Sequence, residues 1–321
     1  MNRKATVTGA NIIFFIYSVL YLSFQVILTI AGMLLGENFI KSSLYEILLV
    51  NQYVIILIPV AAYVFTKGLN TREVFRLNRL EILPAAIILL LFIPAQFAGN
   101  MLNSLVIYLL QFLGDIPANP IPVPGSLNEL ALGIFVIAVS PAICEELMHR
   151  GLMLSAYERR GTIKALVVSS IFFGIFHFDI TNLLGATFLG LLIGYYVVRT
   201  NSIFAGMLAH FLNNVFYEFL LFFTRNEAAE EKFVRITQDE LERSMVYGIA
   251  GLIAVGFLLM LFRRATEGKY EMKPPVSSIK DDVLSIASHW PVVVSIVFYL
   301  MLAALYVLLI VMNGFRTAIA V

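Results

Sequence analysis

Charged residues are scarce in this sequence. Of its 321 residues, 13% are charged and 60% are hydrophobic, whereas soluble domains carry about 25% charged residues. A chain this apolar could not cover the surface of a soluble globule with polar groups, but helices that face lipid need no such cover. The composition therefore predicts an all-α, polytopic integral membrane protein in the cell membrane.

Cysteine and an excess of positive charge are also lacking. The single cysteine, Cys144, lies in an apolar run, so no disulfide framework is expected. The formal net charge is +1 and no basic stripe is visible, so no nucleic-acid partner is predicted. Arg3 and Lys4 precede an apolar segment that continues to about Leu35, too long for a signal-peptide core of roughly 7–15 residues. We expect this segment to remain as the first membrane span.

Long hydrophobic runs make up most of the remaining chain. A membrane helix needs about 20 mostly apolar residues, and the candidate segments lie near 11–36, 44–66, 81–113, 128–157, 163–182, 183–198, 201–224, 243–262 and 291–313. We expect about eight core transmembrane helices and one additional C-terminal span. The chain then divides into N-terminal transmembrane helices in 1–125, the catalytic core helices in 126–224, and an external loop with C-terminal transmembrane helices in 225–321.

The predicted loops differ in positive charge. Of the 22 Lys and Arg residues, fifteen fall on the side of the N-terminus, six on the opposite side, and Arg150 lies within a span. Cytoplasmic loops of membrane proteins are enriched in Lys and Arg. The N-terminus is therefore predicted to be cytoplasmic, and the mixed charges of 225–243 indicate a solvated external loop.

A few polar side chains interrupt the apolar spans. A charge at the bilayer centre costs roughly 2.5–3.5 kcal/mol on insertion scales, so such residues usually face a bundle interior. At a rise of about 1.5 Å per residue, those on the fourth, fifth and seventh spans lie ~15–21 Å from the cytoplasmic helix ends. The pattern predicts one polar layer, formed by Glu145, Glu146, Arg150, His177, His210 and Asn214.

Helical spacing relates these residues to one another. Glu146 and Arg150 are four apart, with the acid first, which favours an ion pair within the helix. His210 and Asn214 are also four apart and can point into the same space. Because Glu145 and Glu146 diverge by about 100° around the helix, one can bind Arg150 while the other reaches the cavity.

This combination of groups is typical of hydrolysis. A glutamate paired with a histidine could deprotonate a water, and a second histidine with an asparagine amide could stabilise the oxyanion. No G-x-S-x-G elbow occurs, and Cys144 points about 100° away from Glu145. Three alternatives stay open: a buried polar network that only packs helices, a transporter or channel, and a non-proteolytic membrane immunity or scaffold protein.

Three motifs on successive helices carry a family resemblance: Glu145-Glu146-x-x-x-Arg150, Phe173-x-x-x-His177 and His210-x-x-x-Asn214. In this order they resemble the motifs of the CPBP family, the CAAX-protease and bacteriocin-processing group. That group includes the type II CAAX prenyl endopeptidases and is also called the Abi family. The resemblance covers about residues 126–222.

The resemblance implies an intramembrane endopeptidase whose cavity opens toward the cytoplasm. Its partners would be the lipid bilayer and a peptide or protein substrate, lipidated or not. By motif position, Glu145 would activate the water together with His177. Glu146 with Arg150 would organise the site.

Two further points follow from the same resemblance. His210 and Asn214 would form the oxyanion hole. Glu145, His177 and His210 could also hold a divalent metal such as zinc, although no cofactor is required, and metal-free activation of water by glutamate is the favoured reading.

Overall fold

A computed structural model describes the backbone of residues 4–118, 121–228 and 233–319. Two residues of the charge comparison, Arg3 and Lys232, lie outside this part, as do the side chains of Arg225 and Arg316. The described chain is almost entirely helical, and its helices are α1 Val7–Leu35, α2 Glu37–Ser42, α3 Leu44–Thr66, α4 Thr71–Val74, α5 Ile82–Leu110, α6 Leu127–Arg160, α7 Thr162–Phe176, α8 Leu183–Thr200, α9 Ile203–Ala228, α10 Gln238–Ala265, α11 Ile279–Ala287 and α12 Trp290–Ile319.

Eight helices of the described residues are long and apolar enough to cross a membrane: α1, α3, α5, α6, α8, α9, α10 and α12. The prediction of an all-α, polytopic membrane bundle is confirmed. The only strands among the described residues, β1 Ile116–Pro117 and β2 Phe233–Val234, form one short antiparallel pair.

Helix α7 is shorter than the sequence indicated. The predicted span 163–182 ends at Phe176, and its 15 residues extend only about 22 Å. Phe178 adopts a left-handed φ of 49°, and Asp179 accepts hydrogen bonds from the backbone and hydroxyl of Thr181. Tyr17 of α1 donates to the Phe176 carbonyl. This polar turn stops the helix within the bundle and places His177 at its end.

Two of the long helices contain π-helical stretches. They occupy Val50–Leu57 in α3, and Ile134–Val139 and Leu147–Met153 in α6. A π-helical turn widens the backbone, and such turns occur frequently at functional sites. The stretches in α6 lie on either side of the two adjacent glutamates.

The core consists of two apolar clusters. One joins α1 and α3 to α6 and α7 through residues such as Phe14, Ile56 and Leu152. The other joins α5, α8 and α10 around Leu91, Tyr196 and Phe262. Together they hold α6, α8 and α9 in fixed positions around the interior.

Both ends of the segment 225–243, expected as an external loop, are helical. Helix α9 continues to Ala228, and α10 starts at Gln238. Thr237 caps α10 and exchanges hydrogen bonds with Glu240 in a capping box. Between these two helices the structure describes 233–237, which include β2.

The linker before α12 is attached to the rest of the bundle. Asp282 of α11 forms ion pairs with Arg160, at 2.8 Å, and with Lys164. Although burial opposes ionisation, hydrogen bonds from Lys164, Ser277 and Arg160 lower the pKa of Asp282 to about 2. Helix α12 also packs against α1, where the rings of Phe15 and Trp290 are 4.9 Å apart.

Candidate active site

A cavity of about 280 Å³ lies between α3, α6, α9 and the turn that joins α7 to α8. Four of the six predicted site residues line it: Glu145, His177, His210 and Asn214. The structure therefore brings polar residues from three helices into contact with one interior space.

The other two predicted residues lie behind the cavity wall. Glu146 and Arg150 are fully buried, and Arg150 Nη1 donates to Glu146 Oε1 at 2.8 Å. Arg150 Nη2 donates to the Gly190 carbonyl at 3.1 Å, and its guanidinium lies 4.3 Å from the centre of the Phe173 ring. Glu146 thus pairs with Arg150, while Glu145 faces the cavity.

His210 connects the two glutamates. Its Nδ1 is 2.9 Å from Glu146 Oε1, and its Nε2 is 3.9 Å from Glu145 Oε2. Because the carboxylate of Glu146 is held as an acceptor by Arg150, Nδ1 is assigned the hydrogen. With the hydrogen on Nδ1, His210 Nε2 donates toward the cavity only when the ring is protonated.

His177 is held in one orientation by its own helix. Its Nδ1 is 2.8 Å from the carbonyl oxygen of Phe173, four residues earlier. Since a carbonyl only accepts, Nδ1 carries the hydrogen and Nε2 is left as an acceptor. In the neutral form of His177, the free Nε2 can accept a hydrogen bond from water.

Asn214 is fixed by two partners. Its Nδ2 donates to the Ile137 carbonyl at 2.8 Å, within a π-helical stretch of α6, and its Oδ1 accepts from Asn213 at 3.0 Å. Each amide nitrogen carries two hydrogens. One N–H of Asn214 therefore remains for a group inside the cavity.

A further polar residue, Gln52, was not identified from the sequence. It is buried in the π-helical stretch of α3, lines the cavity, and donates from Nε2 to Glu145 Oε1 at 2.8 Å. Its own Oε1 and Glu145 Oε2 have no hydrogen-bond partner among the described residues. A glutamine in an apolar span was the signal that could have identified it. Because Gln52 and Glu145 are 93 residues apart in the chain, the sequence does not show that they are neighbours.

Phe173 links the polar groups on the apolar side of the site. Its ring makes edge-to-face contacts with His149, His177 and His210, at centroid distances of 5.1, 4.9 and 5.7 Å. His149 is fully buried and does not line the cavity. Phe173 restricts the motion of both cavity histidines.

The proposed metal ligands do not form a metal site in this arrangement. Within the described ranges, no group of three or more His, Cys, Asp or Glu side chains is placed to hold a metal ion. Glu145 is bonded to Gln52, and His210 to Glu146. The residues therefore do not fit a three-ligand zinc site, and no catalytic step is assigned to a metal.

The cavity lies toward one end of the bundle. Besides the motif residues it is lined by Leu48, Ile121, Asn182 and Tyr217, which all belong to the end opposite Val7. A cytoplasmic N-terminus and a cavity that opens to the cytoplasm were both expected. In this structure the two expectations require opposite orientations in the membrane.

Comparison with known proteins identifies the central segment. Residues 127–216 match the sequence model of a family described as "Type II CAAX prenyl endopeptidase Rce1-like". A Bacillus subtilis (strain 168) protein named "Putative membrane peptidase YdiL" is 29% identical over 126 residues, which cover 39% of this chain and 51% of that protein. The match thus spans about half the length of the curated relative. No solved structure matches the chain.

The matched segment contains all six residues predicted for the site, from Glu145 to Asn214, whereas Gln52 lies outside it. The motifs, the family match and the related membrane peptidase agree. Residues 127–216 of this multi-pass membrane protein are therefore similar to the type II CAAX prenyl endopeptidases, in agreement with the resemblance to the CPBP family that the three motifs carry.

Proposed function

We propose that the protein is an intramembrane endopeptidase that hydrolyses a peptide bond with a water activated by Glu145 and His177. The observation that carries the proposal is the convergence of Glu145, His177, His210 and Asn214 on one interior cavity. A polar cavity surrounded by apolar helices suits acid–base chemistry on a peptide carbonyl.

The two oxygens of Glu145 have different environments. Oε1 accepts the hydrogen bond from Gln52, and Oε2 has no partner in the described part of the chain. In the proposed reaction Oε2 takes a proton from water while His177 Nε2 accepts a hydrogen bond from the same water. The water oxygen then forms a bond to the carbonyl carbon.

The developing oxyanion would be stabilised from α9. The free N–H of Asn214 and the Nε2–H of protonated His210 are the available donors, and such preorganised donors contribute most where water is excluded. Glu145 then returns its proton to the leaving nitrogen as the C–N bond breaks. The products are a carboxylic acid and an amine, and the Glu145 carboxylate is regenerated.

Glu146 and Arg150 support this chemistry without contacting the substrate. Their ion pair, buried on both sides, keeps Glu146 Oε1 as the acceptor for His210 Nδ1. Replacement of either residue would therefore act through the orientation and charge of His210.

The cavity favours a substrate with apolar side chains. Besides the catalytic groups its wall contains Val136, Leu189 and Ile193. We propose a peptide or protein segment within the bilayer, lipidated or not, as the substrate. We also propose that the N-terminus is cytoplasmic, in which case the cavity lies in the half of the bundle toward the external side.

Purified protein reconstituted with a library of membrane-anchored peptides tests the proposal. Mass spectrometry of the products should show cleavage by wild type and a loss of about 10²–10⁴-fold in rate for Glu145→Gln and His177→Ala, since acid–base catalysis contributes that much. Cys144→Ala is the matched control because Cys144 is the buried neighbour of Glu145 outside the cavity. Folded Glu145→Gln protein that cleaves at the wild-type rate would refute the proposal.

A further inference from the structure

A second, larger cavity lies at the end of the bundle that carries the N-terminus. Its volume is about 590 Å³, within the range of about 300–1,000 Å³ typical of ligand pockets. Its walls come from the residues just before α1, the connection around α4, the end of α6, the turn between α8 and α9, and the segment after α10. It is separate from the cavity that Glu145 and His177 line, and it shares no lining residue with that cavity.

Positive side chains predominate in the walls of this cavity. Five cationic residues line it against two carboxylates, Glu73 and Glu158, which leaves an excess of three positive charges. The five are Lys4, Arg72, Arg76, Arg159 and Lys273.

The carboxylate of Glu158 already has three close partners. Glu158 is bound by Arg76 at 2.9 Å, by Lys273 at 2.8 Å and by the Tyr270 hydroxyl at 2.7 Å. Arg76 is itself buried and also donates to Asn201 at 3.2 Å. These contacts form a fixed inner wall and leave Glu158 little capacity to neutralise other cations.

The other three cationic residues of the lining lack such contacts in the described part of the chain. Lys4, Arg72 and Arg159 are exposed, and none of them has a carboxylate within 4.0 Å among the described residues. Three cations without a close carboxylate around one concave space suit an anion such as phosphate, because arginine binds phosphate through paired N–H donors.

The position of the cavity indicates which class of anion would bind there. The lining residues lie in the last turns of the candidate span α6 or just beyond the ends of the candidate spans α1, α8 and α10. Such helix ends correspond to the level of lipid headgroups. Basic pockets between helix ends on the cytoplasmic side attract phosphate-bearing headgroups. We propose that this cavity binds a phosphate group, carried by an anionic phospholipid or by a soluble phosphate ester.

The test uses the full chain in detergent micelles, with inorganic phosphate as one probe and phosphatidylglycerol nanodiscs against phosphatidylcholine nanodiscs as the other. Binding should raise the thermal unfolding temperature of wild type. Arg72→Gln/Arg159→Gln should weaken binding about 30-fold, at roughly fivefold for each cation removed. The control, Lys67→Gln/Arg79→Gln, removes the same charge from exposed positions on the same face outside the cavity.

The outcomes distinguish a lipid headgroup from a soluble phosphate ester, and one set of results would refute the proposal. Stabilisation by phosphatidylglycerol alone assigns the site to a lipid headgroup, and stabilisation by phosphate in micelles assigns it to a soluble ester. Protection of Arg72 and Arg159 from phenylglyoxal by either probe, read by mass spectrometry on wild type, gives the same answer without a variant. The proposal is overturned if neither probe binds, or if the control variant loses binding as much as Arg72→Gln/Arg159→Gln.

Discussion

At the scale of single residues, the proposed base depends on a partner from another part of the chain. Glu145 Oε1 is held by Gln52, so the carboxylate presents Oε2 to the cavity. Without that hydrogen bond the carboxylate can rotate about its terminal torsion. A misplaced catalytic group lowers the rate even when the fold is unchanged.

We therefore predict that Gln52→Leu lowers kcat about 10-fold or more and leaves KM within about threefold, because orientation of the base is lost but the apolar wall is kept. Asn51→Leu, the adjacent residue outside the cavity lining, is the control and should cleave as wild type does. Equal activity of Gln52→Leu and wild type would remove Gln52 from the mechanism.

The Glu146–Arg150 pair predicts a stability effect with a definite sign. Both side chains have no exposed surface, and removal of one member of such a pair leaves a buried charge without its counter-ion, at a cost of about 3–5 kcal/mol. Arg150→Met should destabilise the protein by about that amount. Glu146→Leu/Arg150→Met should recover part of the loss. Unfolding in mixed micelles measures both, and an Arg150→Met variant as stable as wild type would contradict the buried ion pair.

At the scale of elements, the site requires close approach of α9 to α6. A Cβ atom at Gly206 would lie 2.7 Å from Glu146 Oε2 and 2.7 Å from Val197 Cγ2. These distances are shorter than side-chain contacts allow. The absence of a side chain at Gly206 therefore permits His210, one turn further along α9, to reach Glu146.

Gly206→Ala is expected to push α9 outward, to destabilise the protein by about 1–3 kcal/mol, and to reduce peptide cleavage at least 10-fold. Gly256→Ala on α10 is the matched control, since a Cβ there meets no described atom within 4 Å. That control should keep full activity and equal or greater stability, because alanine is favoured over glycine in helices by about 0.5–1 kcal/mol. If the two variants behave alike, close packing of α9 on α6 is not required.

The sequence indicated most of these elements and only part of their detail. Run length and hydrophobicity located the membrane helices because both are properties of single segments. The early end of α7 depends on the turn at Asp179 and Thr181, a short polar signal inside a hydrophobic run. The capping box of Thr237 and Glu240 was readable from its spacing, but the surrounding charges were interpreted as loop.

The residues of the candidate site were also predicted only in part from the sequence. Motif spacing selected Glu145, His177, His210 and Asn214, which share the cavity, and Glu146, which lies behind it. The position of Gln52 depends on how α3 packs against α6. Such packing between distant segments, and the π-helical turns that place these side chains, have no reliable pattern in one sequence.

At the scale of the whole molecule, the orientation in the membrane decides which compartment the cavity faces. The distribution of positive charge predicts a cytoplasmic N-terminus, whereas the lining of the cavity belongs to the opposite end of the bundle. Labelling of single cysteines distinguishes the two orientations. The Cys144→Ala background lacks the only native thiol.

With the N-terminus cytoplasmic, Asn128→Cys, at an exposed position beside the cavity end, should react with a membrane-impermeant maleimide in intact cells. Lys67→Cys, exposed at the other end, should react only after permeabilisation. The reverse pattern would place the N-terminus outside and turn the cavity toward the cytoplasm.

The central claim is that Glu145 activates a water that cleaves peptide bonds within the membrane. The most direct measurement compares peptide termini in membranes from cells that lack the protein and carry either the wild-type chain or Glu145→Gln at equal levels. If Glu145 is the catalytic base, wild type should produce new termini that are absent with Glu145→Gln. Identical sets of termini in the two membranes would contradict the claim.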